Sequence, residues 1–153
     1  MKESEIKDLI IRPMIRDDAE GAGALEAAVF SMPWKTEDFI EMIEAPYAYY
    51  YVATVEGKVV GVCGLRDIAG EGEITNVVVD PLYRRCNIAR KMLNEVLLKA
   101  RKLNLSDITL EVRVSNEGAI KLYESFGFVG EGVRPRFYEK PTEDALIMWK
   151  RDI

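Results

Sequence analysis

The sequence contains no histidine, and this absence excludes several kinds of chemistry at once. Ser-His-Asp and Cys-His catalytic sites need an imidazole, and zinc sites built on histidine ligands need one as well. Any acid–base chemistry in this chain must therefore use carboxylates, tyrosine, lysine or cysteine. We expect no metal cofactor.

The sequence also has only two cysteines and no long apolar stretch. Cys63 lies in an apolar strand pattern and Cys86 in a polar loop, so these two cysteines indicate no disulfide framework. No stretch approaches the roughly 20 apolar residues that a helix needs to cross a bilayer, and the first residues, MKESEIKD, are too charged for a signal peptide. We therefore expect a cytoplasmic protein with no membrane partner.

Basic residues are outnumbered, since 21 lysines and arginines face 26 aspartates and glutamates for a net charge of −5. This balance argues against a direct nucleic-acid partner, because such binding uses an overall basic face, and it mildly favours a cationic partner. With 153 residues, 48% of them hydrophobic, the chain suits one substantial core. We predict a single domain over residues 1–153.

Strand and helix patterns alternate along the chain. We predict strands at 9–14, 48–55, 58–66, 75–79, 108–112, 128–133 and 144–150, and helices at 19–30, 36–44, 88–103 and 117–125. Turns are predicted at Glu56-Gly57 and at 70–72, and a loop at 134–143. A right-handed crossover would place 108–112 parallel to 77–79. The predicted fold class is α/β (α+β), a mixed central sheet of about seven strands flanked by about four helices.

The stretch ITNVVVDPLYRRCNIARKM, residues 74–92, contains a strand, a short cationic loop and the beginning of a helix. Arg84, Arg85 and Arg90 bring positive charge to a point where the first helical turn leaves backbone N–H groups without intrahelical partners. A phosphate or pyrophosphate would satisfy both features, whereas a solvated surface loop is the simpler interpretation of these residues alone.

A second strand–helix unit follows in LEVRVSNEGAIKLYESFGF, residues 110–128. Two such units in succession supply the neighbouring strands between which a ligand can lie. Asn116 is well placed to cap the helix that begins at Glu117, and Gly127 to end it. This second unit favours the ligand-binding interpretation of the cationic loop.

The segment RRCNIA, residues 84–89, resembles the Q/R-x-x-G-x-G/A loop of the GNAT acetyltransferase superfamily. The run at 110–128, the MPW at 32–34 and the EDALIM at 143–148 are similar to the RimI-like group of ribosomal-protein-alanine N-acetyltransferases, and the similarity covers nearly the whole chain. The resemblance implies acetyl-CoA as cosubstrate and direct acetyl transfer to a protein N-terminus, foremost the N-terminal alanine of a small-subunit ribosomal protein.

The resemblance also implies a coenzyme site. The pantetheine arm would lie between the strands at 77–79 and 108–112, and backbone N–H groups of the cationic loop would bind the pyrophosphate. The implied coenzyme-binding residues are Val77, Val78, Val79, Arg84, Arg85, Cys86, Asn87, Ile88, Ala89, Arg90 and Asn116. Asn87 stands where glycine is usual; asparagine tolerates a left-handed backbone, but its side chain would crowd the phosphates and weaken coenzyme binding.

Two catalytic residues follow from the same resemblance. Glu111 would be the general base and Tyr123 the acid that protonates the departing coenzyme A thiolate. The alternatives are an outward strand carboxylate and a core tyrosine. Strand alternation would bury Leu110 and Val112 together and leave Glu111 on the other face. Glu73 remains a second candidate base.

Met32, Trp34 and Tyr138 would wall the groove for the acceptor, although each also suits an ordinary packing role. The reference pKa of an α-amino group, about 7.7 to 8.0 against about 10.4 for lysine, favours an N-terminal acceptor for a carboxylate base. Three alternatives remain, namely acetylation of a small amine, acetylation of a lysine side chain, and a coenzyme A-binding module without turnover. We expect a monomer or a weak dimer.

Overall fold

The computed structural model describes residues 2–153, in which seven strands form one mixed sheet flanked by four α-helices. The strand order is β1-β2-β3-β4-β5-β7-β6. The strands are β1 (Leu9–Pro13), β2 (Ala48–Val55), β3 (Lys58–Ile68), β4 (Glu71–Val79), β5 (Asp107–Arg113), β6 (Val129–Tyr138) and β7 (Glu143–Arg151), and the helices are α1 (Ala19–Val29), α2 (Thr36–Glu44), α3 (Ile88–Lys102) and α4 (Glu117–Ser125). The predicted fold class is confirmed.

Parallel pairing occurs at one place among the described strands, between β4 and β5, where α3 makes the crossover. The two strands pair at Gly72 with Ile108 and at Glu73 with Thr109, and at no later position. The parallel arrangement was predicted, but the pairing lies at the start of β4 rather than at 77–79. Beyond Glu73 the strands part, and their carboxyl ends are free to receive a ligand.

The helices cover both faces of the sheet. Helix α3 buries one side, with Met92, Leu93 and Val96 at helical spacing against a cluster that includes Phe128. Helices α1 and α2 close the other face, where Phe39 is fully buried. No helix in residues 2–153 is both long enough and apolar enough to cross a membrane.

The edge of the sheet differs from the prediction. The prediction of a loop at 134–143 is wrong for its first residues, because β6 continues to Tyr138, which pairs with Glu143. The segment Arg134–Tyr138 contains charged residues and Pro135, which a central strand would not accept. At an edge strand the outer N–H groups face water, so proline and charge are tolerated there. Tyr138 therefore lies at the end of a strand and not on a loop.

The turn before β4 is also shorter than predicted. Strand β3 runs to Ile68, which pairs with Glu71, so Glu71 and Gly72 belong to β4. Ala69 and Gly70 alone make the turn, both with positive φ. The predicted turn at Glu56-Gly57 is confirmed, with φ of 49° and 82°.

Candidate active site

A groove of about 960 Å³ opens where β4 and β5 part. It is walled by the end of α1 and its connection to α2, by β4, β5 and the start of α4, and by the turn between β6 and β7. Of the predicted site residues, the groove is lined by Met32, Trp34, Glu73, Val77, Glu111, Asn116, Tyr123 and Tyr138. Val78, Val79 and the cationic loop are not among its lining residues.

An irregularity in β4 lies at the floor of the groove. The pairing with β3 shifts between Val62, opposite Val78, and Gly64, opposite Thr75, and Asn76 has a φ of 55°. Asparagine is the non-glycine residue that best accepts this backbone, and such a bulge bends its strand. The bend accompanies the separation of β4 from β5.

Tyr50 holds this bulge from β2, reaching across Gly64 of the intervening strand β3. Its hydroxyl donates to Asn76 Oδ1 at 3.0 Å and lies 2.6 Å from Thr75 Oγ1. The Tyr50 ring is buried and stacks on Trp34, with ring centroids 6.0 Å apart. The sequence assigned no role to Tyr50; the signal available was Asn76, a polar residue that interrupts a β-branched strand.

Glu111 has the orientation that strand alternation predicted, since Leu110 and Val112 are buried and Glu111 is half-buried on the other face. Its Oε1 lies 3.6 Å from Arg134 Nη1, whereas its Oε2 is buried and makes no hydrogen bond. Burial raises the pKa of Glu111, and the charge of Arg134 opposes the shift. Such a carboxylate can take up a proton inside the groove.

Glu73, the second candidate base, is occupied by an ion pair. Arg66 donates to Glu73 Oε1 through Nε at 3.0 Å and through Nη2 as well. Both donors of Arg66 thus occupy one oxygen of Glu73, whereas no protein donor bonds Glu111 Oε2. The geometry therefore favours Glu111.

Tyr123 is buried on α4, lines the groove, and packs edge-on against Phe128 with ring centroids 6.2 Å apart. Burial raises the pKa of Tyr123 well above the usual range, so its phenol keeps its proton at neutral pH and has that proton to donate. Asn116 caps α4 as predicted, with Oδ1 accepting from the Ala119 N–H at 3.2 Å, and Gly127 follows the helix with a φ of 93°.

The cationic loop follows a short turn at Pro81–Tyr83 and leads into α3. Cys86 and Ile88 are buried and anchor it in the core, while Arg84, Arg85 and Asn87 are exposed and Ala89 is half-buried. Arg85 and Asn87 both have a φ of 61°. The first turn of α3 has no side-chain cap, so its N–H groups are available to an anion.

Arg90 is engaged with α4 as well as with the loop. Its Nη2 donates to Ser125 Oγ at 3.2 Å, and its guanidinium lies 5.2 Å from the centroid of the Phe126 ring. These contacts tie the start of α3 to the end of α4. The positive charge of Arg90 thus lies beside the loop.

The connection of α1 to α2 and the turn of β6 and β7 approach each other across the opening of the groove. On one side Met32 is largely exposed and Trp34 is half-buried; on the other, Tyr138 is half-buried beneath the guanidinium of Arg113, 4.5 Å from its ring centroid. The Ser31 hydroxyl donates across the gap to the Glu139 carbonyl at 3.4 Å. Burial raises the pKa of Tyr138 to about 12.

Glu26 and Arg113 are two groove residues that the sequence did not single out. Glu26 on α1 is only 2% exposed, and its Oε1 accepts from the Trp34 N–H at 3.1 Å. Burial raises the pKa of Glu26, and the Trp34 N–H and the Asn76 side chain oppose the shift. Arg113 donates to the carbonyls of Glu139 and Pro141, both at 3.0 Å. In the sequence both resemble ordinary surface charges.

No group of three or more acidic, cysteine or histidine side chains suited to a metal ion occurs within residues 2–153. The groove is instead supplied with single carboxylates, tyrosines and paired arginines. These groups can move protons and hold a polar substrate.

Comparison with known proteins gives one consistent result. Residues 19–128 match the sequence model of the acetyltransferase (GNAT) family. A Bacillus subtilis protein, provisionally named a ribosomal protein bS18-alanine N-acetyltransferase, is 34% identical over 91% of the chain and 93% of its own length. The ribosomal protein bS18-alanine N-acetyltransferase of Escherichia coli is 32% identical over 86% of the chain and 89% of its own length.

The crystal structure of the corresponding Escherichia coli enzyme is similar in fold. It superposes with a TM-score of 0.86 at 28% sequence identity and covers 94% of both chains. The likeness therefore extends over nearly all of the sheet and the helices that surround the groove.

Proposed function

Because the chain belongs to the acetyltransferase (GNAT) family and so is an acetyl-CoA-dependent N-acetyltransferase, we propose that it acetylates the N-terminal amine of a protein. The observation that carries this proposal is that Glu111 and Tyr123 line one groove at the parting of β4 and β5. We propose that residues 1–153 act as one acetyltransferase domain.

The proposed acceptor is the N-terminal alanine of a small-subunit ribosomal protein. The names of the Bacillus subtilis and Escherichia coli relatives give ribosomal protein bS18-alanine as the acceptor of those proteins. The form of the groove supports an extended chain end, because it lies between the connection of α1 to α2 and the turn of β6 and β7. Phe30, Met32 and Phe137 line it with partly exposed apolar surface. Such surface suits peptide side chains better than a small polyamine.

The proposed position of acetyl-CoA follows the parting of the strands. The pantetheine arm would bond the backbone of β4 at 77–79, and the diphosphate would bind N–H groups of the loop at 84–90 and the start of α3. Asn116, exposed at the start of α4 and lining the groove, would contact the coenzyme. This arrangement directs the thioester toward Glu111 and Tyr123.

The proposed reaction is a direct transfer. Glu111 takes a proton from the acceptor ammonium, the neutral amine attacks the thioester carbonyl, and a backbone N–H of β4 stabilises the oxyanion. As the C–S bond breaks, Tyr123 gives its phenolic proton to the coenzyme A thiolate, and the nitrogen loses its second proton to leave the neutral amide and restore the phenol through solvent. The unused oxygen and raised pKa of Glu111 support its role as base, and the protonated phenol of Tyr123 supports its role as acid.

A competition assay tests the proposal. The protein and acetyl-CoA are offered a peptide with a free N-terminal alanine, the same peptide with its N-terminus blocked and one internal lysine, and spermidine, and the products are analysed by mass spectrometry. We expect acetylation of the free N-terminus. Preferred acetylation of the lysine or the polyamine would contradict the proposed acceptor, and coenzyme binding without any product would contradict the proposed turnover.

A further inference from the structure

Two buried side-chain oxygens in residues 2–153 make no hydrogen bond, Glu26 Oε2 and Glu111 Oε2. Both belong to carboxylates that line the same groove. Folded proteins rarely leave such atoms unsatisfied, because each one loses its water without gaining a partner. The coincidence of both atoms in one groove points to donors that a ligand supplies.

Glu26 differs from the other carboxylates around the groove. Glu73 is paired with Arg66, Glu143 with Arg113, and Glu111 lies near Arg134. No lysine or arginine forms an ion pair with Glu26 in the described part of the chain. Among the described residues, Glu26 therefore has only neutral hydrogen-bond donors, the Trp34 N–H and the Asn76 side chain.

The position of Glu26 relative to the bulge of β4 is also informative. The side chain leaves α1 and packs beside Asn76, the residue at the bulge, where β4 parts from β5. Its Oε1 is fixed by the Trp34 N–H at 3.1 Å. Oε1 is thus held in place, while Oε2 has only the Asn76 side chain nearby and makes no hydrogen bond of ordinary length.

We propose that Glu26 binds the protonated N-terminal amine of the acceptor, directly or through one water, and is thereby an acceptor-binding residue distinct from the base Glu111. This inference rests on the proposed function, since it concerns the same acceptor. A primary ammonium carries three N–H donors and one positive charge, which suits a carboxylate oxygen without a partner. An N-terminus that already carries an acetyl group has lost that charge.

The simpler role for Glu26 is to hold the connection between α1 and α2 through the Trp34 N–H. Glu26→Gln separates the two roles, because the amide oxygen can still accept from Trp34 while the negative charge is gone. Glu37→Gln is the matched control, since it removes one negative charge from an exposed position on α2.

The test measures binding rather than turnover. The coenzyme A-loaded protein is titrated by calorimetry with a peptide that begins with alanine and with its N-acetylated twin. We expect wild type and Glu37→Gln to bind the free peptide at least about tenfold more tightly than the twin. We expect Glu26→Gln to lose that preference and to retain its affinity for coenzyme A and its melting temperature.

The inference is overturned if wild type has no preference for the free amine or if Glu26→Gln keeps it. Wild-type protein gives a second test if the variant does not fold, because the ¹³C resonance of the Glu26 carboxyl should shift with the free peptide and not with the twin. Failure of the proposed function is distinguishable, since it would appear as no acetylated peptide by mass spectrometry even where the free amine is preferred.

Discussion

The side-chain amide of Asn87 donates to Glu3 Oε2 at 2.8 Å, which joins the beginning of the chain to the loop that precedes α3. Glu3 Oε1 also lies 3.4 Å from Lys91 Nζ. Asn87 makes no side-chain cap on α3, so its amide is turned to Glu3 and not to the N–H groups of the first helical turn. A carboxylate thus lies close to the proposed diphosphate site.

Removing this carboxylate should strengthen coenzyme binding. We expect Glu3→Gln to tighten acetyl-CoA binding by about two- to threefold at low salt, with the difference shrinking as ionic strength rises, because exposed charges are screened. Calorimetry at two salt concentrations measures both effects. Glu5→Gln is the control, an exposed acid two residues along the chain. Equal gains from both variants would mean that net charge, and not the Glu3 contact, is responsible.

The contact also changes what is expected of Asn87 itself. The sequence predicts that asparagine crowds the phosphates, but in the structure its amide bonds Glu3 and makes no cap on α3. We therefore expect Asn87→Gly to change acetyl-CoA affinity by less than about threefold, since glycine relieves only modest strain at a φ of 61°. Titration calorimetry measures the change. A gain of about tenfold or more would restore the crowding interpretation.

Glu111→Gln should lower kcat by about 10²- to 10⁴-fold with little change in coenzyme affinity. Because the base must be ionised and burial raises its pKa, the wild-type rate should fall as the pH falls through that raised pKa. The variant should lack this acidic limb. Rate profiles over pH test both points, and Glu73→Gln is the comparison. A larger loss of kcat in Glu73→Gln than in Glu111→Gln would indicate that Glu73 is the base.

Tyr123→Phe should slow release of the coenzyme A thiol by about tenfold to a hundredfold, while the ring still packs on Phe128. Its raised pKa keeps the phenol protonated near neutral pH, so we expect no loss of wild-type rate there from its ionisation. A thiol-trapping assay measures the rate. Tyr83→Phe, outside the groove, is the control. A Tyr123→Phe variant as fast as wild type would remove Tyr123 from the mechanism.

Asp18 should make stability depend on pH. Burial alone would raise the pKa of Asp18, but hydrogen bonds from Arg12 and the Ile15 N–H outweigh it and lower that pKa below 3.8. A carboxyl with a lowered folded-state pKa stabilises the fold above its unfolded pKa, and that contribution is lost as the pH falls through the folded value. The loss should therefore begin below about pH 4.

Asp18→Asn should reduce the free energy of unfolding at neutral pH by about 1 to 3 kcal/mol, since it leaves the Arg12 guanidinium without its charged partner. The decrease should become smaller as the pH falls through the lowered pKa of Asp18, because wild type then loses the same interaction. Urea unfolding at a series of pH values from neutral to strongly acidic measures this. An unchanged difference across these pH values would contradict the linkage.

Local features of the sequence predicted most elements well. The bounds of α2, β2 and α4 agree with the prediction, as does the cap at Asn116, because periodicity, capping and turn residues act between near neighbours in the chain. The end of β6 was not predictable in this way. Its polar residues have the composition of a loop, and only their place at the sheet edge makes a strand possible.

The sequence by itself determined the chemistry available to this protein. Without histidine, proton transfer must use carboxylates, tyrosine, lysine or cysteine, and the alternation around Glu111 directs that carboxylate away from the core. Tertiary structure alone decided which carboxylates are left without partners. Arg66 faces Glu73 in the register of β3 and β4, while the packing of α1 on the sheet buries Glu26 with an oxygen unused, and both outcomes depend on how these elements are placed against one another.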